Sequence, residues 1–269
     1  MKPVALTIAS SDSSNGAGVS LDLRVFEKFG VYGTMAIATC TAQNSFGVQR
    51  IYKIAPRIIE AQIDAIVKDF PVKACKVGML YSPEIVNTVA KRIKRRNIPN
   101  IILDIPIISK NGVVITKESA YKSIVKNLIP QAFLITPNIP EAEKLSGIEI
   151  KNREDMENAC KMIRDLGAKN VLLKGGHSEK PFDLFYDGEC FYEFEGEKYF
   201  GKNTHGTGCF LSAGICAGVA SGKSLGDSIS EAKRFINEII PQSQRLGKGD
   251  MDFITFSGLP NSKGLVKNL

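Results

Sequence analysis

Short β-rich runs alternate with amphipathic segments along almost the whole chain, and this alternation constrains the fold more than any other feature. The runs are VALTIA (4–9), TMAIATC (34–40), ACKVG (74–78), IILDI (101–105), FLIT (133–136) and VLLKG (171–175). Strand, helix and strand in repetition, joined by right-handed crossovers, predict an α/β fold with a central mostly parallel sheet and helices on both faces. Between two of the runs, Ser82-Pro83-Glu84 supplies an N-cap with proline at the first helical position. Ile85, Val86, Val89, Ala90 and Ile93 then form one apolar stripe that ends near Asn97. Asn152, with Asp155 three residues on, opens a second helix, which Gly167 closes. FDLFYDGECFYEF (182–194) reads as a hairpin turned at Asp187-Gly188, an antiparallel addition to the sheet. No Pro/Ser-rich linker or internal repeat divides the chain, so residues 1–269 are read as a single domain with a mobile tail over 257–269.

Composition narrows the partners. Hydrophobic residues make up 43% and charged residues 23%, enough apolar material for a substantial core and too much for disorder. Thirty-five Lys and Arg against 28 Asp and Glu leave a net charge of +7, which suits phosphorylated ligands and nucleic acid alike. The one dense basic run, KRIKRR (91–96), carries no interleaved aromatics and reads as a solvated helix face, so nucleic acid is not expected as a partner. Six cysteines without a CxxC point to reduced thiols in a cytoplasm. Cys209 and Cys216 would lie two helical turns apart, about 10 Å, beyond disulfide reach. The N-terminus has no signal-peptide h-region, and the uncharged stretch 203–222 is too rich in glycine and hydroxyls for a membrane span.

In a sheet of this kind ligands bind beyond the carboxyl ends of the strands. Asp12, Gln43, Asn44, Met79, Asp104, Asn138, Glu141 and Lys174 all fall at or just after such ends. The sharpest segment is NTHGTGC (203–209), followed by a small-residue helix. Its glycines leave several backbone N–H groups aimed at one spot, where the helix dipole favours an anion. It is not a Walker A loop, and SNGAGVSL near the start fails the GxGxxG pattern. Cys209 at this helix start is expected to have its thiol pKa lowered, giving a thiolate that could accept a proton. His205, four residues earlier, suggests a Cys-His dyad but has no evident orienting third group. With only His177 and His205 in the chain, a histidine metal site is not expected. Asp104, Asn138 and Glu141 offer hard oxygens suited to Mg²⁺, directly or through its waters, and Lys174 offers a point charge beside phosphates. Together they describe nucleotide phosphoryl transfer.

IASSDSSNGAG, TAQNSFGV, KVGML, LDIPIISKNG, ITPNIPEAE, VLLKGGH and NTHGTGC occur in an order and at a spacing that resembles the hydroxymethylpyrimidine/phosphomethylpyrimidine kinases of the ribokinase superfamily, over residues 6–249. The resemblance implies a ribokinase-like three-layer sandwich, usually a homodimer. It also implies an ATP- and Mg²⁺-dependent kinase acting on 4-amino-5-hydroxymethyl-2-methylpyrimidine and its monophosphate in thiamine biosynthesis. By position, Gln43 matches the pyrimidine-binding carboxamide, while Ser10, Ala17, Asp22, Met79 and Pro106 match the substrate pocket. Gly206, Thr207, Gly208 and Cys209 match the anion hole, with Cys209 where most ribokinase relatives carry an Asp base. Asp104, Asn138, Glu141 and Lys174 match the Mg·ATP side, and Lys233 is placed near the nucleotide. Two positions depart from the family pattern. Ser10 stands where glycine is usual, and Pro106 is displaced by one residue, although the spacing to Lys110 and Gly112 is kept. Two alternatives stay open at this point: a pyridoxal kinase, which would tend to lack TAQN, and a non-catalytic pyrimidine-binding regulator, which would lose the anion hole or Cys209.

Overall fold

The structure, a computed structural model, describes residues 1–107, 114–175, 182–196 and 204–256. Lys110, Gly112, Gly176, His177, Asn203 and the tail from 257 therefore lie outside the described residues. In β1 (Val4–Asp12) side chains alternate between faces: Leu6 and Ile8 enter one core and Ala5 the other. The same parity runs through β4 (Val72–Val77), β5 (Ile101–Leu103), β6 (Leu134–Ile135) and β7 (Val171–Lys174). Cys75, Val77, Ile101, Leu103, Ile135, Val171 and Leu173 face the first core, and Ala74, Ile102, Leu134 and Leu172 face the second. Strands buried on both faces need helices on both, and the chain supplies them.

The first core is covered by α2 (Pro56–Asp69), α3 (Pro83–Arg96), α4 (Glu118–Asn127), α5 (Ile139–Ser146) and α6 (Arg153–Asp165). The second is covered by α1 (Gly18–Lys28), α7 (Thr207–Ala220) and α8 (Leu225–Ile239). The expected stripe of α3 is buried as a set, and Asn97 ends that helix at φ 50°. The Asn152–Asp155 capping box opens α6, and Gly167 follows its last turn at φ +111°. Helix α7 differs from the rest, being apolar nearly all round, because it is wedged between the sheet, α1 and α8. Among the described residues no helix is long and apolar enough to cross a membrane.

Among the described residues nine strands form the main sheet in the order β3-β2-β1-β4-β5-β6-β7-β8-β9, where β2 is Tyr32–Asn44, β3 Gly47–Lys53, β8 Phe182–Tyr186 and β9 Phe191–Glu195. From β2 through β7 the neighbours are parallel, and β3, β8 and β9 add antiparallel edges. The hairpin expected at Asp187-Gly188 is the β8–β9 turn. Two strands run further than their apolar runs. β1 continues to Asp12 and β2 to Asn44, because Asp12 still pairs with Thr41 and Gln43 with Val48 of β3. β3 had no sequence forecast, since most of its side chains are exposed or half-buried. Two short strands, β10 (Thr204–His205) and β11 (Asp252–Phe253), pair beside the start of α7.

Candidate active site

Strand order reverses beside β1: β2 and β3 lie to one side of it, and β4 lies on the other, parallel to it. Such a switch point opens a crevice beyond the carboxyl ends of the strands. A cleft with about 1020 Å³ of open space occupies that place, lined from Ala9, Ser10 and Asp12 of β1 across to Lys174 of β7 and Gly206–Cys209. Of the residues expected at the site, Ser10, Ala17, Gln43, Met79, Pro106, Asp104, Asn138, Glu141, Lys174, Gly206, Thr207, Gly208 and Cys209 all border it. Gln43 and Cys209, from opposite ends of the chain, thus share one cavity.

Its floor is the start of α7. Gly206 is the N-cap at φ +84°, and a β-carbon there would strike the carbonyl oxygen of Gly16. Only glycine lets this turn approach the β1–α1 loop so closely while the first N–H groups of α7 stay without intrahelical partners. A β-carbon on Gly208 would meet Lys174 Nζ at 3.6 Å and Asp104 Oδ2 at 4.0 Å, so the ammonium overhangs the amide floor. An anion placed there would meet a helix N-terminus and a lysine together.

Lys174 is anchored by Asp104, whose Oδ1 accepts from Lys174 Nζ and from Thr136 Oγ1, each at 3.3 Å, while Oδ2 accepts from Ser212 Oγ at 3.1 Å. Burial opposes charge on Asp104, but the ammonium groups of Lys174 and Lys76 and these hydrogen bonds outweigh it and hold the carboxyl below its ordinary range. Asn138 and Glu141 form a capping box at α5: Asn138 Oδ1 accepts from the Glu141 backbone and Glu141 Oε2 from the Asn138 backbone, both at 2.9 Å. Burial pushes the Glu141 carboxyl up. With those oxygens already engaged, this set fits a hydrated Mg²⁺ held through its waters better than one bound directly. Among the described residues no three His, Cys, Asp or Glu side chains converge as a metal cluster.

One expectation needs correction, and two of the expected site residues do not border the cleft. The Cys209 thiol is not lowered: burial raises it, Asp104 and Asp22 add to that, and Lys76 opposes them without prevailing. A helix start lowers a thiol pKa only where water or cations support the thiolate, and here the desolvation of the sulfur outweighs Lys76. Asp22 does not border the cleft. It is fully buried in α1, accepting from Lys76 Nζ and from Thr7 Oγ1, each at 2.6 Å. Lys233 also lies away from the cleft lining, paired with Asp183 Oδ2 at 2.6 Å, while Asp183 Oδ1 accepts from the Gly175 backbone at 3.0 Å. A buried Asp183 needs that cation. The Ser10 hydroxyl, unusual for the resembled family, donates to the Thr39 carbonyl at 3.3 Å and so stitches β1 to β2.

Lys76 has no sequence forecast at the site, and His205 is forecast there only as a dyad candidate beside Cys209. Lys76 sits inside the apolar run ACKVG, yet the strand parity turns it toward α7, where it borders the cleft with Asp22 behind it. Burial opposes its charge, but Asp22, Cys209 and Asp104 more than offset this and push its pKa up. The signal was a lysine at a position where every neighbour of the same parity is apolar. His205 has its Nε2 3.1 Å from Asp12 Oδ2 and 2.8 Å from the Gln43 carboxamide. Its partner is therefore the carboxamide, not Cys209.

A family model described as phosphomethylpyrimidine kinase matches residues 12–253. The hydroxymethylpyrimidine/phosphomethylpyrimidine kinase of Aquifex aeolicus is 42% identical over 254 residues, covering 93% of this chain and 100% of that protein. A thiamine biosynthesis bifunctional protein of Geobacter sulfurreducens is 39% identical over 246 residues, covering 91% of this chain and 50% of that protein. Among solved structures, phosphomethylpyrimidine kinase of Clostridium difficile superposes with a TM-score of 0.80 at 38% identity, covering 88% of this chain and 99% of that one. An ADP complex of Bacillus subtilis pyridoxal kinase superposes at 0.87 with 36% identity, covering 94% of this chain and 97% of that one.

Proposed function

The chain belongs to the phosphomethylpyrimidine kinase family of phosphotransferases, and from that premise we propose how its own residues phosphorylate a hydroxymethyl-aminopyrimidine of thiamine biosynthesis. Gln43 holds the pyrimidine. A carboxamide offers one acceptor and one donor in a plane, matching an exocyclic amino group and its neighbouring ring nitrogen, as Asn or Gln reads adenine. Met79 supplies a polarizable surface for the flat ring, and Ala17, Ser10 and Pro106 complete that wall.

ATP enters from the side of Lys174 and Asn138, with its γ-phosphoryl over the amides of Gly206–Cys209. Glu141, Asp104 and Asn138 would hold Mg²⁺ through its waters, and the ion would supply charge neutralisation to the phosphates there. Lys174 and the α7 amides add preorganised positive potential where charge builds on the transferring oxygens. Cys209 takes the proton of the hydroxymethyl oxygen. Because its pKa is raised, the thiolate is the minor form, so positioning and charge neutralisation carry most of the rate and proton removal comes late.

The observation that carries this reading is the placement of Gln43, Lys174 and Cys209 around one cleft. Its test is ATP consumption with the hydroxymethylpyrimidine, its monophosphate and pyridoxal. Turnover of the pyrimidine well above pyridoxal is expected, and no turnover of either pyrimidine would reject the proposal. The enzyme is further proposed to be a cytoplasmic homodimer. Sedimentation at monomer mass would reject that part.

A further inference from the structure

Gln43 Nε2 stands 2.8 Å from His205 Nε2, and Gln43 Oε1 stands 3.3 Å from Thr41 Oγ1. Two nitrogens that close need one proton between them, but the proton on His205 Nε2 is already called for elsewhere. Asp12 Oδ2 lies 3.1 Å from the same Nε2 and accepts from the Gly16 backbone, while Asp12 Oδ1 accepts from Ser14 N and Ser14 Oγ. Burial opposes charge on Asp12, but the His205 contact and the Ser14 hydrogen bonds outweigh it and hold the carboxyl below its ordinary range. Moving the imidazole proton to Nδ1 would set a lone pair against that carboxylate. Nε2 is therefore the protonated atom, and it must face an acceptor on Gln43.

The other end of the amide admits the same arrangement. Thr41 has one hydroxyl proton and two acceptors, the Ser11 carbonyl and Gln43 Oε1, each at 3.3 Å; the half-turned amide leaves that proton to Ser11. What Thr41 then presents to Gln43 is a lone pair, which needs an N–H. A half-turn about the last bond of the Gln43 side chain exchanges Oε1 and Nε2 and leaves every contact distance in place. It gives Thr41 an NH₂ group and His205 an oxygen, so that the one Nε2–H is shared between the Asp12 carboxylate and the Gln43 amide and no N–H is set against an N–H.

We propose that His205, itself held by Asp12, is a positioning residue that locks the Gln43 carboxamide in this half-turned orientation and thereby makes the pocket choose a 4-amino over a 4-oxo pyrimidine. The proposal rests on the assignment of Gln43 to the pyrimidine. A 4-aminopyrimidine needs an acceptor for its amino N–H and a donor for the adjacent ring nitrogen, whereas a 4-oxopyrimidine needs the reverse. An amide free to rotate satisfies either, and one pinned at both ends satisfies one. The imidazole is itself fixed in place: a β-carbon on Gly16 would fall 2.5 Å from its Cδ2, and Phe253 meets it edge-on with ring centroids 6.1 Å apart.

The test measures binding by calorimetry, apart from turnover, for 4-amino-5-hydroxymethyl-2-methylpyrimidine and its 4-oxo analogue. Wild type should prefer the amino compound at least tenfold. His205→Ala should bind both within about threefold with its affinity for ATP unchanged, and His205→Gln, which keeps an N–H donor, should restore the preference. A preference retained in His205→Ala, or absent from wild type, overturns the proposal. Should the variants fail to fold, ¹⁵N spectra of histidine-labelled wild type decide: protonated Nε2 supports the assignment and protonation at Nδ1 alone rejects it. Absence of ATP turnover in a wild type that still shows the binding preference would reject the kinase reading and leave this one standing.

Discussion

Lys76 Nζ lies 2.6 Å from Asp22 Oδ1 with both side chains fully buried. The pair joins the middle of the sheet to α1 directly beneath the cleft, and Thr7 Oγ1 donates to the second carboxylate oxygen at 2.6 Å. Removing one member of such a pair strands the other in a medium that cannot solvate it. Lys76→Met is therefore expected to lose about 3–5 kcal/mol of stability by denaturant unfolding, while Lys76→Met with Asp22→Leu should recover most of it. Equal stability of the single and double variants would show that the pair holds nothing in place.

Catalysis should follow the state of the Cys209 sulfur. Its pKa is raised, so at neutral pH the thiolate is the minor species and its population grows about tenfold per pH unit until the pKa is reached. The turnover number should rise with pH from 6 to 8 in step, and Cys209→Asp, whose carboxylate is ionised throughout, should flatten that slope. Cys209→Ala should lower turnover by roughly 10² to 10⁴ with pyrimidine affinity kept. A flat profile in wild type would remove the thiolate from the mechanism.

Gly206 tests the floor separately. At φ +84°, with the Gly16 carbonyl against the place of a β-carbon, Gly206→Ala must move the loop or the strand. Loss of at least 1–3 kcal/mol is expected, with turnover falling further than pyrimidine affinity as the α7 amides leave their alignment. Thermal melts and single-turnover rates on one preparation separate the two effects.

How much of this was legible in the sequence depends on what kind of force places each residue. Alternating apolar runs fix parity, so the sheet, both cores and the polar strand ends at Asp12, Gln43, Asp104 and Lys174 could be read before any coordinates. The glycines of NTHGTGC likewise announce a close approach, because a positive φ leaves few other choices. Partners across the fold were not legible. Asp22 matches a substrate position by resemblance, but whether it faces the cleft or the core depends on Lys76, 54 residues away. His205 pairs with Gln43 across 162 residues, a contact that no local spacing encodes. The pKa of Cys209 was misjudged for the same reason, since helix position is local and burial is not.

Lys233 gives the last test. It reaches Asp183 at 2.6 Å from α8, and Asp183 in turn holds the Gly175 backbone N–H at the end of β7, one residue past Lys174. The expected role beside the nucleotide therefore becomes support for the turn that carries Lys174. Lys233→Met should destabilise the protein by about 3 kcal/mol, because Asp183 is left buried and unpaired. Turnover per folded molecule should fall less than in Lys174→Met, where the cation over Gly208 is itself removed and a loss of roughly 10² to 10³ is expected. Adding Asp183→Asn to Lys233→Met should restore stability, since an amide can still accept from Gly175 without a charge to balance. If Lys233→Met instead raises the KM for ATP with stability intact, Lys233 touches the nucleotide directly and the sequence-based placement stands.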